Sequence, residues 1–214
     1  MIITALQQAK KDSNRVNLFL DNEFWICVDK NEILKFDLYK GKELSKEDKS
    51  SLEKSSKSTR ALNKAYSYIL RRPRSKKEIT DYLSRKEIPE VTIKEIITEL
   101  KEKEIISDYD FSKWLINNRL HSGRYGESKI KYELALKGVD KITIKKAFSD
   151  SLSSHDPNIL KENARKFALK SIKNIKAENK YKLKEKLINK LMSRGYSYKI
   201  SMEVYNEILS DSKD

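Results

Sequence analysis

The chain has 214 residues, enough for one or two domains of ordinary size, and its 46 Lys and Arg against 32 Asp and Glu leave a net charge of +14. A hydrophobic fraction of 38% beside a charged fraction of 36% excludes an integral membrane protein, yet 11 Tyr, 6 Phe and 2 Trp are too many for a purely solvated chain. Five Gly and three Pro favour long helices over a loop-rich β fold, while one Cys and two His exclude a disulfide framework and a zinc ribbon, so neither a metal nor a cofactor is expected.

Residues 1–6 run straight into Gln7-Gln8-Ala9-Lys10-Lys11, without the basic start and long apolar stretch of a signal peptide, and no window reaches the length of a membrane span. A cytoplasmic protein with anionic partners is therefore expected. Residues 15–20 and 23–28, both β-branched or aromatic and joined by Asp21-Asn22, predict a β-hairpin. Simple pairing across that turn puts Val16, Leu18, Trp25 and Cys27 on one face and Phe19, Phe24 and Ile26 on the other. Residues 31–39 space Ile33, Leu34 and Leu38 as one helical face, with Gly41 placed as a C-cap. The Lys/Ser/Glu tract at 45–58 reads as a polar helix or linker that closes a small α/β module.

From Thr59 onward the pattern is helical and it recurs. Ile79, Leu83, Ile88 and Ile93 have equivalents 51 residues later in Ile130, Leu134, Val139 and Ile144, and Thr92-Ile93-Lys94 returns as Thr143-Ile144-Lys145. A third copy, Leu187, Leu191 and Tyr196, follows 57 residues beyond the second. Each copy ends a helix alike: Lys86-Glu87-Ile88, Lys137-Gly138-Val139 and Arg194-Gly195-Tyr196. Glycine suits the left-handed position there, so the helix ending at Glu87 is expected to stop differently. Capping boxes at Ser75-Lys76-Lys77-Glu78 and Thr92-Ile93-Lys94-Glu95, and an N-cap followed by N1 proline at Asp156-Pro157, set the boundaries. The predicted helices are 59–71, 75–86 and 92–104, then 108–121, 126–137 and 143–150, then 157–175, 178–193 and 197–210. The expected fold is mainly α: a tandem array of three three-helix, helix-turn-helix-like repeats behind a small β-hairpin and helix module. Its segments are 1–57, 58–107, 108–156 and 157–214, with net charges of +1, +4, +2 and +7. Such small units bury little alone, so end-to-end stacking in a curved, elongated array is expected.

The ordered motifs from Arg71-Arg72-Pro73-Arg74-Ser75 through Ile105-Ile106-Ser107-Asp108 to Lys137-Gly138-Val139 resemble those of the RecX family of RecA regulators. Arg71-Arg72-Pro73-Arg74-Ser75-Lys76-Lys77-Glu78-Ile79 is similar to the opening of that family's first repeat. Leu100, Ile105-Ile106-Ser107-Asp108 and Phe111 resemble its junction, and Gly126, Ile130, Glu133-Leu134 and Lys137-Gly138-Val139 its second repeat. The hairpin with Asn17, and Leu38-Tyr39-Lys40-Gly41-Lys42-Glu43-Leu44, look like the N-terminal part of the Gram-positive-type members. Ser112 stands where alanine is usual, Tyr109 where a second aspartate is usual, and Glu87 where glycine is usual. The resemblance implies a non-enzymatic protein that lodges in the groove of the RecA–single-stranded-DNA filament and depresses ATP hydrolysis, strand exchange and co-protease function.

The residues themselves offer three basic groups. Arg71, Arg72, Arg74, Lys76 and Lys77 crowd one interhelix turn, where Ser75 caps the helix and the arginines are expected to project outward. Arg119 and Arg124 flank the equivalent turn, whose two glycines permit backbone approach and whose Tyr125 can stack, with Lys129 and Lys131 following. Lys166, Lys170, Lys173 and Lys176 fall on one predicted helix stripe, with Lys182 beyond. Solvated turns and merely soluble lysine-rich helices are the plain alternatives. No nucleophile–base pair, phosphate-cradling glycine loop or metal-ligand spacing supports catalysis. A monomer is expected, with the RecA filament as partner, weak single- or double-stranded DNA binding, and no membrane. The competing reading is a sequence-tolerant or transcriptional DNA-binding protein built of tandem helix-turn-helix units.

Overall fold

The computed structural model describes residues 1–10 and 12–210. Three strands come first: β1 (Ile3–Gln8), β2 (Arg15–Leu20) and β3 (Glu23–Asp29). The helices follow as α1 (Lys30–Lys35), α2 (Lys46–Ile69), α3 (Lys76–Ser84), α4 (Glu90–Glu102), α5 (Asp108–Ser122), α6 (Glu127–Leu136), α7 (Lys141–Ser153), α8 (Ile159–Ile172), α9 (Lys180–Ser193) and α10 (Tyr198–Ser210). The expected class, mainly α behind a small β-containing head, is what folds. The chain forms two compact units, one of Met1–Arg71 with Tyr82–Thr98 and the other of Arg72–Asp81 with Glu99 onward.

In the first unit β2 is the central strand of an antiparallel sheet. Asp21 and Asn22, at φ +48° and +73°, make the two-residue turn that suits the twist of a hairpin. A bulge opposite Leu18 and Phe19 shifts the register so that Leu18 faces Ile26 and Val16 faces Val28. The simple pairing is thus corrected: Leu18, Leu20 and Val28 enter the core with Ile3, Leu38, Leu44 and Leu52, while Phe24 stays 59% exposed. β1 was not anticipated, because its own bulge between Ile3 and Ala5 breaks the two-residue alternation. Its free edge receives residues 42–44: Ile3 N–H donates to the Lys42 carbonyl at 2.9 Å and the Leu44 N–H to that of Met1 at 2.8 Å. Gly41 (φ +94°) therefore turns the chain beside β1 and does not cap α1, which ends at Lys35 ahead of the left-handed Asp37 and leaves Leu34 exposed.

The polar tract at 45–58 and the helix expected at 59–71 are one 24-residue helix, α2. Ser45 and Asp48 form its capping box, and its buried residues are Leu52, Ser56, Ala61 and Ala65. Small residues on that face let α2 lie close to the sheet, where Trp25 Nε1 donates to Glu53 Oε1 at 2.9 Å and the Ser56 hydroxyl to the Cys27 carbonyl at 3.4 Å.

In the second unit, Ile130, Leu134, Val139 and Ile144 share one core with Phe111, Leu115, Ile116 and Phe148, and Leu187, Leu191 and Tyr196 share another with Val204, Tyr205 and Ile208. Several boundaries shift from expectation. α4 begins at Glu90 behind Pro89, which puts Thr92 inside its first turn. Asp156 and Pro157 form a turn, in which the Ile159 N–H donates to the Asp156 carbonyl at 2.9 Å, so α8 starts two residues late. The α7 helix starts behind Asp140, whose Oδ1 accepts from the Ile142 and Thr143 N–H groups at 3.0 and 2.9 Å.

The second helix of every repeat ends in the same turn. The N–H groups of Ile88, Val139 and Tyr196 each reach back at 3.2 Å to the carbonyls of Leu83, Leu134 and Leu191. The residue before each is left-handed: Glu87 at φ +58°, Gly138 at +80° and Gly195 at +90°. The different ending expected at Glu87 does not occur, because the two turn bonds outweigh the strain of a side chain there. At 138 a Cβ would come within 2.9 Å of Lys77 Cβ, and at 195 it would run into the Lys129 backbone nitrogen, whereas Glu87 is exposed. Glu87→Gly is expected to raise unfolding stability by about 0.5–1 kcal/mol. Gly126→Ala, whose Cβ would run into the Gly195 carbonyl carbon, is expected to lower it by about 3 kcal/mol. Urea unfolding of the two variants measures both.

Candidate anion-binding interface

The first basic turn is organised by a buried carboxylate. Ser75, fully buried, accepts from the Glu78 N–H at 3.1 Å through the oxygen that donates to the Lys137 carbonyl at 2.8 Å. The Glu78 side chain, 9% exposed, takes Arg72 in a fork at 3.1 and 2.9 Å and the Lys137 ammonium at 2.8 Å. Burial alone would raise the Glu78 pKa, but hydrogen bonds and charge from Arg72 and Lys137 outweigh it and hold the carboxyl at about 2. The Arg72 guanidinium also lies 5.1 Å from the centre of the Trp114 ring. The capping box is present, but Arg72 does not project outward, since a buried carboxylate requires an opposite charge beside it. Arg71 and Lys76 are exposed, Arg74 is half-buried with its own contacts, and the Lys77 ammonium donates to the Leu136 carbonyl at 3.1 Å.

The second turn repeats the plan with different residues. Arg119 forks onto Glu133 at 2.8 and 2.6 Å, which lowers the Glu133 pKa and raises that of Arg119 through the same hydrogen bonds. Tyr125 is half-buried between the Arg119 and Arg194 guanidinium groups, at 6.0 and 5.9 Å, and is not an open stacking platform. The backbone that approaches Gly126 belongs to the third repeat: Gly126 N–H donates to the Arg194 carbonyl at 2.9 Å and Ser128 N–H to that of Gly195 at 3.1 Å. Gly123 (φ +62°) caps α5, and the Tyr196 hydroxyl donates to its carbonyl at 3.2 Å. Arg124 is exposed, Lys129 lies over Tyr132, and Lys131 pairs with Glu127.

The third group is less continuous than its spacing suggested. Lys166 and Lys170 are exposed on α8, but the helix stops at Ile172, so Lys173 is its C-cap and Lys176 lies beyond it. Lys166 sits 3.9 Å from Glu162 and Lys182 3.3 Å from Glu185. Sequence reasoning missed Glu78, Glu133 and Lys137 as the groups that organise these turns. The signal for Glu78 was present in its capping-box position, while Lys137 meets it only through the fold.

Because the folded pKa of Glu78 lies below its ordinary 4.5, the stability it contributes is full above that value and is lost as pH falls through about 2. Acid titration of unfolding stability is expected to show this loss in the wild type. In Glu78→Gln, which is less stable at neutral pH, that component of the acid dependence is expected to vanish.

Three family models match in chain order: the regulatory protein RecX N-terminal domain at residues 1–45, the RecX first three-helix domain at 61–100 and the RecX second three-helix domain at 107–147. Regulatory protein RecX of Clostridioides difficile is 30% identical over 209 residues, covering 98% of this chain and 96% of its own. That of Listeria welshimeri is 31% identical, covering all of this chain and 80% of its own. A crystal structure of regulatory protein RecX superposes with a TM-score of 0.78 over 96% of this chain and 98% of its own at 21% identity, and RecX from Lactobacillus salivarius with 0.61 over 72% and 97% at 24%, which shows a shared fold. With its head, its repeats and nearly its full length accounted for in this way, the chain belongs to the RecX family of regulatory proteins.

Proposed function

We propose that this chain binds the groove of the RecA–single-stranded-DNA filament and chiefly inhibits its ATPase, strand-exchange and co-protease activities, acting as a cytoplasmic monomer in DNA repair, recombination and the SOS response. The observation that carries this reading is membership of the RecX family from the head through the repeats. Exposed Arg71, Lys76, Arg124, Lys129, Lys170 and Lys173 support it as cations available to RecA carboxylates or to DNA phosphates. Arg72 and Arg119 are assigned instead to holding their turns against Glu78 and Glu133. Several weak contacts suffice on a polymer, since each one formed raises the effective concentration of the next. The four-segment division of the chain is kept as the repeat reading that goes with this proposal.

The competing reading, a tandem helix-turn-helix DNA-binding protein, draws on the three-helix domains and on the cations at interhelix turns. The combined variant Arg124→Glu, Lys129→Glu, Lys170→Glu keeps both arginine–carboxylate pairs. It is expected to need about tenfold more protein, or beyond, for half-inhibition of RecA ATPase on single-stranded DNA. Undiminished inhibition overturns the role of these cations. On bare single strands, removal of each phosphate-binding cation is expected to flatten the log–log salt slope by about 0.7. Protection of one defined duplex site at physiological salt would favour the transcriptional reading.

A further inference from the structure

The first unit carries a groove of about 780 Å³ that none of the candidate anion-binding residues line. One wall is α2, where Lys54, Lys57, Arg60 and Lys64 follow one another at spacings of three, three and four on one face. Lys54, Lys57 and Lys64 are exposed and make no ion pair among the described residues, and Arg60 spends one nitrogen on the Cys27 carbonyl at 2.5 Å. Ala61, fully buried and without bulk, lies between the cations. The opposite wall is the turn after α3 and the start of α4: Ile88, Pro89 and Val91 present an apolar strip, Val91 being 68% exposed, with Glu87 and Glu95 beside it.

We propose that this groove is a docking site for an amphipathic helix of a partner protein whose apolar face is bordered on one side by carboxylates. The cationic row spans ten residues of helix, about 15 Å, which matches roughly three turns of a helix laid along it. The apolar strip supplies the surface for that helix's buried face, and the lysine row supplies the partners for its acidic border. Glu87 and Glu95 favour a basic residue on the other border and count against a nucleic-acid strand, whose phosphates they would repel. The site gives the first unit a binding role of its own and does not depend on the filament reading.

Fluorescence anisotropy with the full chain tests this, using a labelled peptide of about 16 residues. Its leucines recur at helical spacing, with glutamates on one border and lysines on the other. Two control peptides carry lysines on both borders, or alanines in place of the leucines, and a thymidine oligonucleotide serves as competitor. The first peptide is expected to saturate, to bind at least about tenfold more weakly to Lys57→Glu, Lys64→Glu and to Val91→Asp, and to outbind both controls by a similar factor. Circular dichroism of the variants should match the wild type; a variant that fails this is replaced by Lys54→Glu, Lys57→Glu, whose side chains are exposed. Equal binding to wild type and variants, no advantage over the controls, no saturation at about 1 mM, or displacement by the oligonucleotide would each overturn the proposal.

Discussion

The second unit depends on a joint between helix ends. A helix leaves its first N–H groups and its last carbonyls without partners, and its dipole makes the two ends opposite in sign. In this chain the start of α6 lies on the end of α9, so that Gly126 and Ser128 donate to Arg194 and Gly195. The start of α3 meets the end of α6 in the same sense, through Ser75 and Lys77 on the carbonyls of Lys137 and Leu136. At α6 and α9 backbone donors and carbonyls satisfy each other directly, whereas at α3 the donors to α6 are the Ser75 hydroxyl and the Lys77 ammonium. Glycine at 138 and 195 follows from this, because a side chain would stand where the neighbouring helix begins.

The same joint decides what the charged residues do. A helix start brought against another repeat takes its first-turn glutamate out of water, and Glu78 is tolerable there only because Arg72 and Lys137 neutralise it. Arginine suits this work, since its planar fork meets both carboxylate oxygens, as at Glu78 and again at Glu133. The surface cations that remain are largely lysines. Arg72, Arg119 and Lys137 thus fix the turns, while Arg71, Arg124 and many of the lysines face the solvent.

The repeats were legible because their apolar residues recur at a fixed offset and their helix ends share one motif. The head was less so. β1 is hidden by a bulge that spoils its alternation, and beyond Leu52 the buried face of α2 is made of the small residues Ser56, Ala61 and Ala65, which give no strong hydrophobic pattern. At the basic turns, residue type showed that charge was concentrated but not how it was compensated. Lys137 is 59 residues from Glu78 in sequence, and only the fold brings them to 2.8 Å. The four-lysine stripe failed for a local reason: α8 ends at Ile172, which leaves its last member off the helix.

Glu87 has a meaning beyond its own turn. Among the three equivalent helix ends of the repeats it alone keeps a side chain, and it does so with its carboxylate in solvent. At 138 and 195 a neighbouring helix start leaves no room for a Cβ, and at 87 the side chain meets solvent instead.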